Sequence, residues 1–125
     1  MEIKNKRKQM RVRVSLPVQI YDVLNNKTYS GKIVDISLGG VSISTPEKLS
    51  IQTPVSLTFT FEDTIYKKVP ADIVREVKNN NEKFLGSAFF DLDPEARKQL
   101  DITIKRVHLK NLAGLRKETL YNIYR

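Results

Sequence analysis

Two arginines four residues apart, Arg7 and Arg11, precede by a fixed interval the run Val34-Asp35-Ile36-Ser37-Leu38-Gly39-Gly40. An arginine carries a planar fork that bonds phosphate oxygens or the O6/N7 edge of guanine, and it can also stack on a base. The Asp35 carboxylate can accept from guanine N1–H and the N2 amino group, and the Ser37 hydroxyl can donate to a phosphate oxygen. Gly40 permits close backbone approach and unusual backbone angles, and Gly39 adds freedom in the same loop. Each half has a plainer meaning too. The arginines suit a solvated basic arm, and Asp35 with Ser37 suits a strand-to-strand turn in which both bond their own backbone.

Taken in this order and at this separation, the two halves resemble the signature motifs of the PilZ domain, Arg-x3-Arg and Asp/Asn-x-Ser-x-x-Gly. The resemblance extends to Pro17-Val18, to Ala71-Asp72-Ile73-Val74-Arg75 and to Leu85-Gly86-Ser87-Ala88-Phe89-Phe90, and covers roughly residues 6–105. PilZ domains are bacterial receptors for the second messenger cyclic di-GMP. The resemblance therefore implies that Arg7 and Arg11 contact phosphate and guanine, and that Asp35, Ser37, Gly39 and Gly40 complete the site. Lys6 stands where the family tunes the choice between one ligand and an intercalated pair, and a basic residue there leans towards the pair. Arg75 ends a strand near where the family presents a side chain to the ligand; it reads equally as a guanine-stacking group and as a surface arginine. Arg13 reads as solvated charge and His108 as an exposed helix residue.

Composition narrows the classes. A chain of 125 residues with 40% hydrophobic content has room for one domain and one core. No apolar run approaches the roughly 20 residues that span a bilayer, and no apolar signal core follows the basic start. The chain has no cysteine, which excludes disulfides and thiolate chemistry and fits a reducing cytoplasm. The net charge of +8 is uneven: +5 over residues 1–13, −3 over 14–96 and +6 over 97–125. Basic ends on a mildly acidic body suit an anionic partner near the termini, or simply solubility.

The elements that must position these residues are short strands. Val12, Val14, Leu16, Val18 and Ile20 alternate with polar residues, the period of a strand with one buried face. Asn25-Asn26-Lys27 turns the chain into a second strand from about Thr28 to Ile36, and Gly39-Gly40 breaks the ladder before Val41 and Ile43. Further runs are expected over Val55–Phe61, over Ile65–Val77 with an edge or bulge at Pro70, and over Phe84–Leu92. Six such strands fit a small closed antiparallel barrel, the six-stranded architecture the resemblance also implies. Asp93-Pro94 then suits a helix start, with Leu100, Ile104 and Val107 on one face. Gly114 is expected to interrupt that helix, leaving a second segment with Leu112, Leu115, Thr119 and Ile123. The expected organisation is a flexible basic arm (1–11), a barrel (12–93) and a helical tail (94–125).

No Gly-x-Ser-x-Gly elbow, P-loop or metal-spaced carboxylate cluster occurs, so a binding module is expected rather than an enzyme, with no metal and no cofactor beyond the ligand. The reading is a cytoplasmic cyclic di-GMP receptor whose arm orders on binding. It would regulate an unidentified effector protein in a process such as motility or exopolysaccharide production. Two rivals stand beside it: a barrel that binds single-stranded nucleic acid, and a PilZ domain acting only in protein–protein contact. Against the first, Phe59, Phe61 and Phe89 read as core rather than as a stacking face, so no DNA is expected. The tail carries more apolar residues than one capping helix can bury, so it is expected to dock a partner or form a homodimer. Unlike the flagellar-brake members of the family, the chain has no large domain ahead of the barrel. It reads as a stand-alone receptor or a piece of a longer protein.

Overall fold

A computed structural model describes residues 9–123, with side chains for 9–114. Arg7 and Lys6, and the side chains of Leu115, Thr119 and Ile123, lie outside the described residues. Six antiparallel strands close into a barrel in the order β1-β2-β3-β6-β5-β4. The strands are β1 (Val12–Asp22), β2 (Lys27–Ser37), β3 (Gly40–Ser44), β4 (Pro54–Phe61), β5 (Thr64–Asn79) and β6 (Glu82–Phe89), and one helix, α1 (Pro94–Ile123), follows. Closure pairs every strand on both sides and leaves no edge to template aggregation.

The alternation read in the sequence becomes the inside of the barrel. Val18 and Ile20 of β1, Leu57, Phe59 and Phe61 of β4, and Val69, Ala71 and Ile73 of β5 are all buried in one cluster. Phe59 stacks on Tyr66 with ring centroids 5.2 Å apart. The Tyr66 hydroxyl is buried without a hydrogen-bond partner among the described residues. Burial pushes its pKa up, and the Thr64 side chain pulls the other way.

Between β1 and β2 the chain turns on Asp22. Its carboxylate accepts from the backbone N–H of Leu24 (3.1 Å) and Asn25 (3.2 Å) and from the Asn25 side-chain amide (2.8 Å). The bond from the Asn25 side chain is the largest cause holding this carboxyl below its ordinary pKa, and burial opposes it. Asp22 is covered by its own turn rather than by depth in the core.

Four registers slip by one residue, at Arg13/Leu16, Ile33/Asp35, Leu57/Phe59 and Ile73/Arg75. The slip between Leu57 and Phe59 places the extra residue at Lys67–Lys68, where Lys68 takes a left-handed φ of 49°. Pro70 itself lies in regular register opposite Ser56 and its carbonyl accepts from the Phe90 N–H (2.8 Å), so the irregularity expected at the proline falls two residues before it. The last strand stops at Phe89 rather than Leu92, because Asp91 adopts a φ of 56° that cannot continue a ladder.

Asp93 caps α1 as its position suggested: its carboxylate accepts from the N–H of Glu95 and of Ala96, each at 3.2 Å. Leu100, Thr103 and Ile104 are buried against the barrel, and Lys110 reaches Glu62 in the β4–β5 turn at 3.6 Å. Gly114 does not interrupt the helix, which runs unbroken for 30 residues, about 45 Å at 1.5 Å per residue. A glycine inside a helix costs about 1 kcal/mol relative to alanine, too little to end it. His108 is half-buried rather than exposed. No described helix is long and apolar enough to cross a membrane.

Candidate ligand-binding groove

Two of the register slips aim the candidate residues. In β2, Ile33 and Ile36 are both fully buried although three positions apart, which a regular strand forbids because its side chains alternate. The extra residue, Val34, absorbs the mismatch, and Asp35 is left with 28% of its side chain exposed. In β5 the same device follows the buried Ile73. Val74 is the extra residue, and Arg75 comes to lie opposite Gly86. A bulge re-aims a side chain without disturbing the core on either side of it.

Asp35 pairs across the sheet with Arg13 in β1 and Ser42 in β3, and its carboxylate bonds the Arg11 guanidinium at 2.7 Å. An exposed ion pair of this kind contributes about 0–1 kcal/mol, so a ligand can exchange it at small cost. Ser37 is 3% exposed, and its hydroxyl is used within the turn, accepting from the Gly39 N–H (3.1 Å) and donating to the Gly40 carbonyl (3.5 Å). It therefore shapes the β2–β3 turn from inside. Neither Gly39 nor Gly40 has a left-handed φ, so unusual backbone angles are not what this turn needs. Close approach is. A Cβ on Gly40 would collide with the Ser87 carbonyl oxygen, which belongs to the backbone of β6 and cannot yield. A Cβ on Gly39 would meet only the Gln9 side chain, which can.

A cavity of about 190 Å³ gathers these groups: Arg11, Ser37, Gly39, Gly40 and Arg75 line it together with Gln9 and Ser42. The strand order places β3 and β6 between Arg11 on the β1 side and Arg75 on the β5 side. Gly40–Ser42 and Gly86–Ala88 thus form a floor between two arginines. Pockets that hold whole small molecules run to roughly 300–1,000 Å³, so this one has room for only part of such a molecule. A depression of about 720 Å³ between the β3–β4 loop and the β5–β6 hairpin is larger, but it contains none of the candidate residues. Its charges oppose one another, Lys48, Lys78 and Lys83 against Glu76 and Glu82.

Sequence reasoning missed Gln9, Ser42, Gly86 and Ser87. Gln9 lies inside the Arg-x3-Arg spacer, and Ser42 follows Gly40 by one strand period, so both carried a usable signal. Gly86 and Ser87 sat in a quoted strand, but their place depends on the pairing of β6 with β3 and β5. No group of acidic, histidine or cysteine side chains suited to a metal occurs among the described residues.

The sequence pattern of the PilZ domain matches residues 5–104. No curated protein matches the chain. Among solved structures, the inhibitor of motility MotI/DgrA of Bacillus subtilis superposes with a TM-score of 0.74 at 15% identity, over 86% of this chain and 53% of that one. The PilZ domain of YcgR from Escherichia coli, solved with c-di-GMP, superposes with a TM-score of 0.68 at 17% identity, over 90% of this chain and 99% of that one. A tetrameric PilZ domain from Xanthomonas campestris, self-assembled via a helical bundle, gives 0.66 at 12% identity, over 86% and 92%. This chain spans about half the length of the MotI/DgrA chain (53%) and of the YcgR chain solved in complex (51%). At such identities the structural likeness carries the fold alone.

Proposed function

This chain belongs to the PilZ domain family, and on that footing we propose that it is a cytoplasmic receptor for cyclic di-GMP that changes shape when it binds. The observation that carries the reading is the groove: Arg11 held by Asp35 on one side, Arg75 on the other, and a glycine-floored surface between them. On binding, Arg11 turns to phosphate or to the guanine edge, and Asp35 accepts from guanine N1–H and the N2 amino group. Arg7, with Lys6 beside it, approaches the ligand from the arm, and the arm's ordering is the signal an effector protein reads. Lys6 favours an intercalated ligand pair. The YcgR domain was solved with c-di-GMP, and the Bacillus relative inhibits motility. An output such as motility or exopolysaccharide production is therefore proposed here, and no catalytic step is assigned.

Calorimetry decides between this and a nucleic-acid-binding barrel. Cyclic di-GMP is expected to bind, cyclic di-AMP far more weakly because adenine lacks the donors Asp35 needs, and a single-stranded oligonucleotide not at all. Burial of Phe59 and Phe61 supports that order, since neither ring can stack on a base. Equal binding of the two dinucleotides would remove Asp35 from guanine recognition, and tight oligonucleotide binding would overturn the reading.

A second reading concerns assembly. Ile102, Leu109 and Leu112 are exposed, on the side of α1 turned away from Leu100 and Ile104, and the helix runs on to Ile123, beyond the Lys110–Glu62 pair. The Xanthomonas relative self-assembles through helices. We propose that α1 brings copies of this chain together. Sedimentation of the full chain against one ending at Asn111 tests it, and monomers in both would end the proposal.

A further inference from the structure

Gly86 stands directly opposite Arg75 in the β5–β6 ladder. A Cβ built on Gly86 would lie 2.8 Å from Arg75 Cγ, 2.9 Å from Nε and 3.4 Å from Cδ. All three nearest atoms belong to that one side chain. Arg75 is therefore laid across the bare backbone of β6, its stem and Nε in contact with the strand, at the far side of the groove from Arg11. The contrast with Gly40 is instructive. There a Cβ strikes the backbone of Ser87 and Ala88, so the fold itself resists. At Gly86 the conflict falls on Arg75 alone.

We propose that Gly86 is a positioning residue for the ligand: it leaves room for Arg75 to lie flat, so that the guanidinium presents its plane, rather than its charged tip, to the groove. This rests on the reading of the groove as a cyclic di-GMP site and adds how one arginine is used there. A guanidinium held parallel to the floor offers a stacking face to a purine, an interaction that needs planarity as well as charge. Arg11, whose guanidinium tip bonds Asp35 at 2.7 Å, supplies directional hydrogen bonds instead. The two arginines then do different work, one gripping edges and the other covering a face. The bulge at Val74 is part of the device, because it sets Arg75 opposite a glycine, where an unbroken register from Ile73 and Ser87 would set it opposite Leu85.

The test is a double-mutant cycle on cyclic di-GMP affinity with Gly86→Ala, Arg75→Ala and both together. Stacking by an arginine predicts a weakening of about five- to thirtyfold for Arg75→Ala. Gly86→Ala is expected to give a similar loss, and the double variant to be no weaker than Arg75→Ala alone. Arg75→Lys, which keeps the charge and loses the plane, should bind like Arg75→Ala. The melting temperature of Gly86→Ala should stay near that of the wild type. Unchanged affinity in Gly86→Ala, multiplied losses in the double variant, or full affinity in Arg75→Lys would each overturn the proposal. A ligand-free measurement separates its failure from that of the ligand reading. The Arg75 Nε–H resonance should show restricted motion in the wild type and lose it in Gly86→Ala. If wild type binds no cyclic di-GMP, the functional reading falls, while this resonance still decides whether Gly86 positions Arg75. A resonance identical in the two proteins overturns the positioning.

Discussion

Asp22 ends β1 opposite the first residue of β2, Asp35 lies near the end of β2, and they differ in what their carboxylates are given to do. Asp22 receives two backbone N–H groups and a side-chain amide from the turn it opens, and it is 2% exposed. Asp35 has one partner among the described residues, the Arg11 guanidinium, and its side chain is 28% exposed. The first carboxylate is consumed by structure. The second is left with an exposed pair weak enough to exchange. A satisfied carboxylate set against a half-satisfied one separates scaffold from proposed site more surely than cavity size, which here favours a depression with no candidate residue in it.

The comparison breaks first, and most heavily, at Gly40. Gly40→Ala should destabilise the barrel by about 3 kcal/mol, the upper part of the range for overpacking, because the added methyl meets the Ser87 backbone. Gly39→Ala, meeting only the Gln9 side chain, should change stability by well under about 1 kcal/mol. Urea unfolding of the two variants measures both, and equal losses would mean that the close approach of β3 to β6 is not what fixes this turn.

Removing Arg11 should separate the site from the scaffold. Arg11→Ala is expected to weaken cyclic di-GMP by about 1.5–3 kcal/mol, the scale of a lost charge-assisted hydrogen bond. Stability should move by less than about 1 kcal/mol, since only an exposed ion pair is lost. Arg7→Ala should behave alike if the family resemblance carries over to that position. Normal binding in both would take the arginine motif out of the account.

Asp22→Ala should do the reverse. Stability is expected to fall by about 1–2 kcal/mol, with cyclic di-GMP affinity unchanged. The pH dependence follows from the lowered pKa. Because the folded state holds this carboxyl below its ordinary value of 3.8, the stabilisation is fully present above that value. It is lost as pH falls through the lower folded pKa. Acid unfolding of the wild type below pH 3.8 should therefore include a component that is absent from Asp22→Ala. Parallel acid-unfolding curves would show that the turn is held by something else.

Smallest of all, Tyr66→Phe should be neutral or stabilising by up to about 1 kcal/mol, since it removes a buried hydroxyl that has no partner among the described residues. A clear destabilisation would reveal an ordered water or an unrecognised partner at that hydroxyl.

The alternation of Val18 and Ile20, of Leu57, Phe59 and Phe61, and of Val69, Ala71 and Ile73 made the strands legible, because a half-buried strand must repeat every second residue. The Asp93 cap was legible for a similar reason, its chemistry being local. Registers were not. Whether Val34 and Val74 bulge depends on partners far away in sequence, so no local pattern could show that Asp35 is turned to meet Arg11 or that Arg75 comes to line the groove. Gly86 opposite Arg75 is a cross-strand fact of the same kind. Asp22 was within reach, since an aspartate ahead of Asn25-Asn26 is ordinary turn chemistry, but the asparagines alone accounted for the turn and the carboxylate went unread. Gly114 misled because a glycine marks helix ends often, yet weakens a helix interior only slightly.

Backbone amide shifts of the uniformly labelled protein, followed through a titration with cyclic di-GMP, test the central claim most directly. The groove account predicts the largest changes at Gly39, Gly40, Ser42, Arg75, Gly86 and Ser87, with Leu24, Asn25 and Asn26 in the Asp22 turn left in place. Changes centred on the Asp22 turn or on the Lys48–Lys83 depression, or none at saturating ligand, would contradict it.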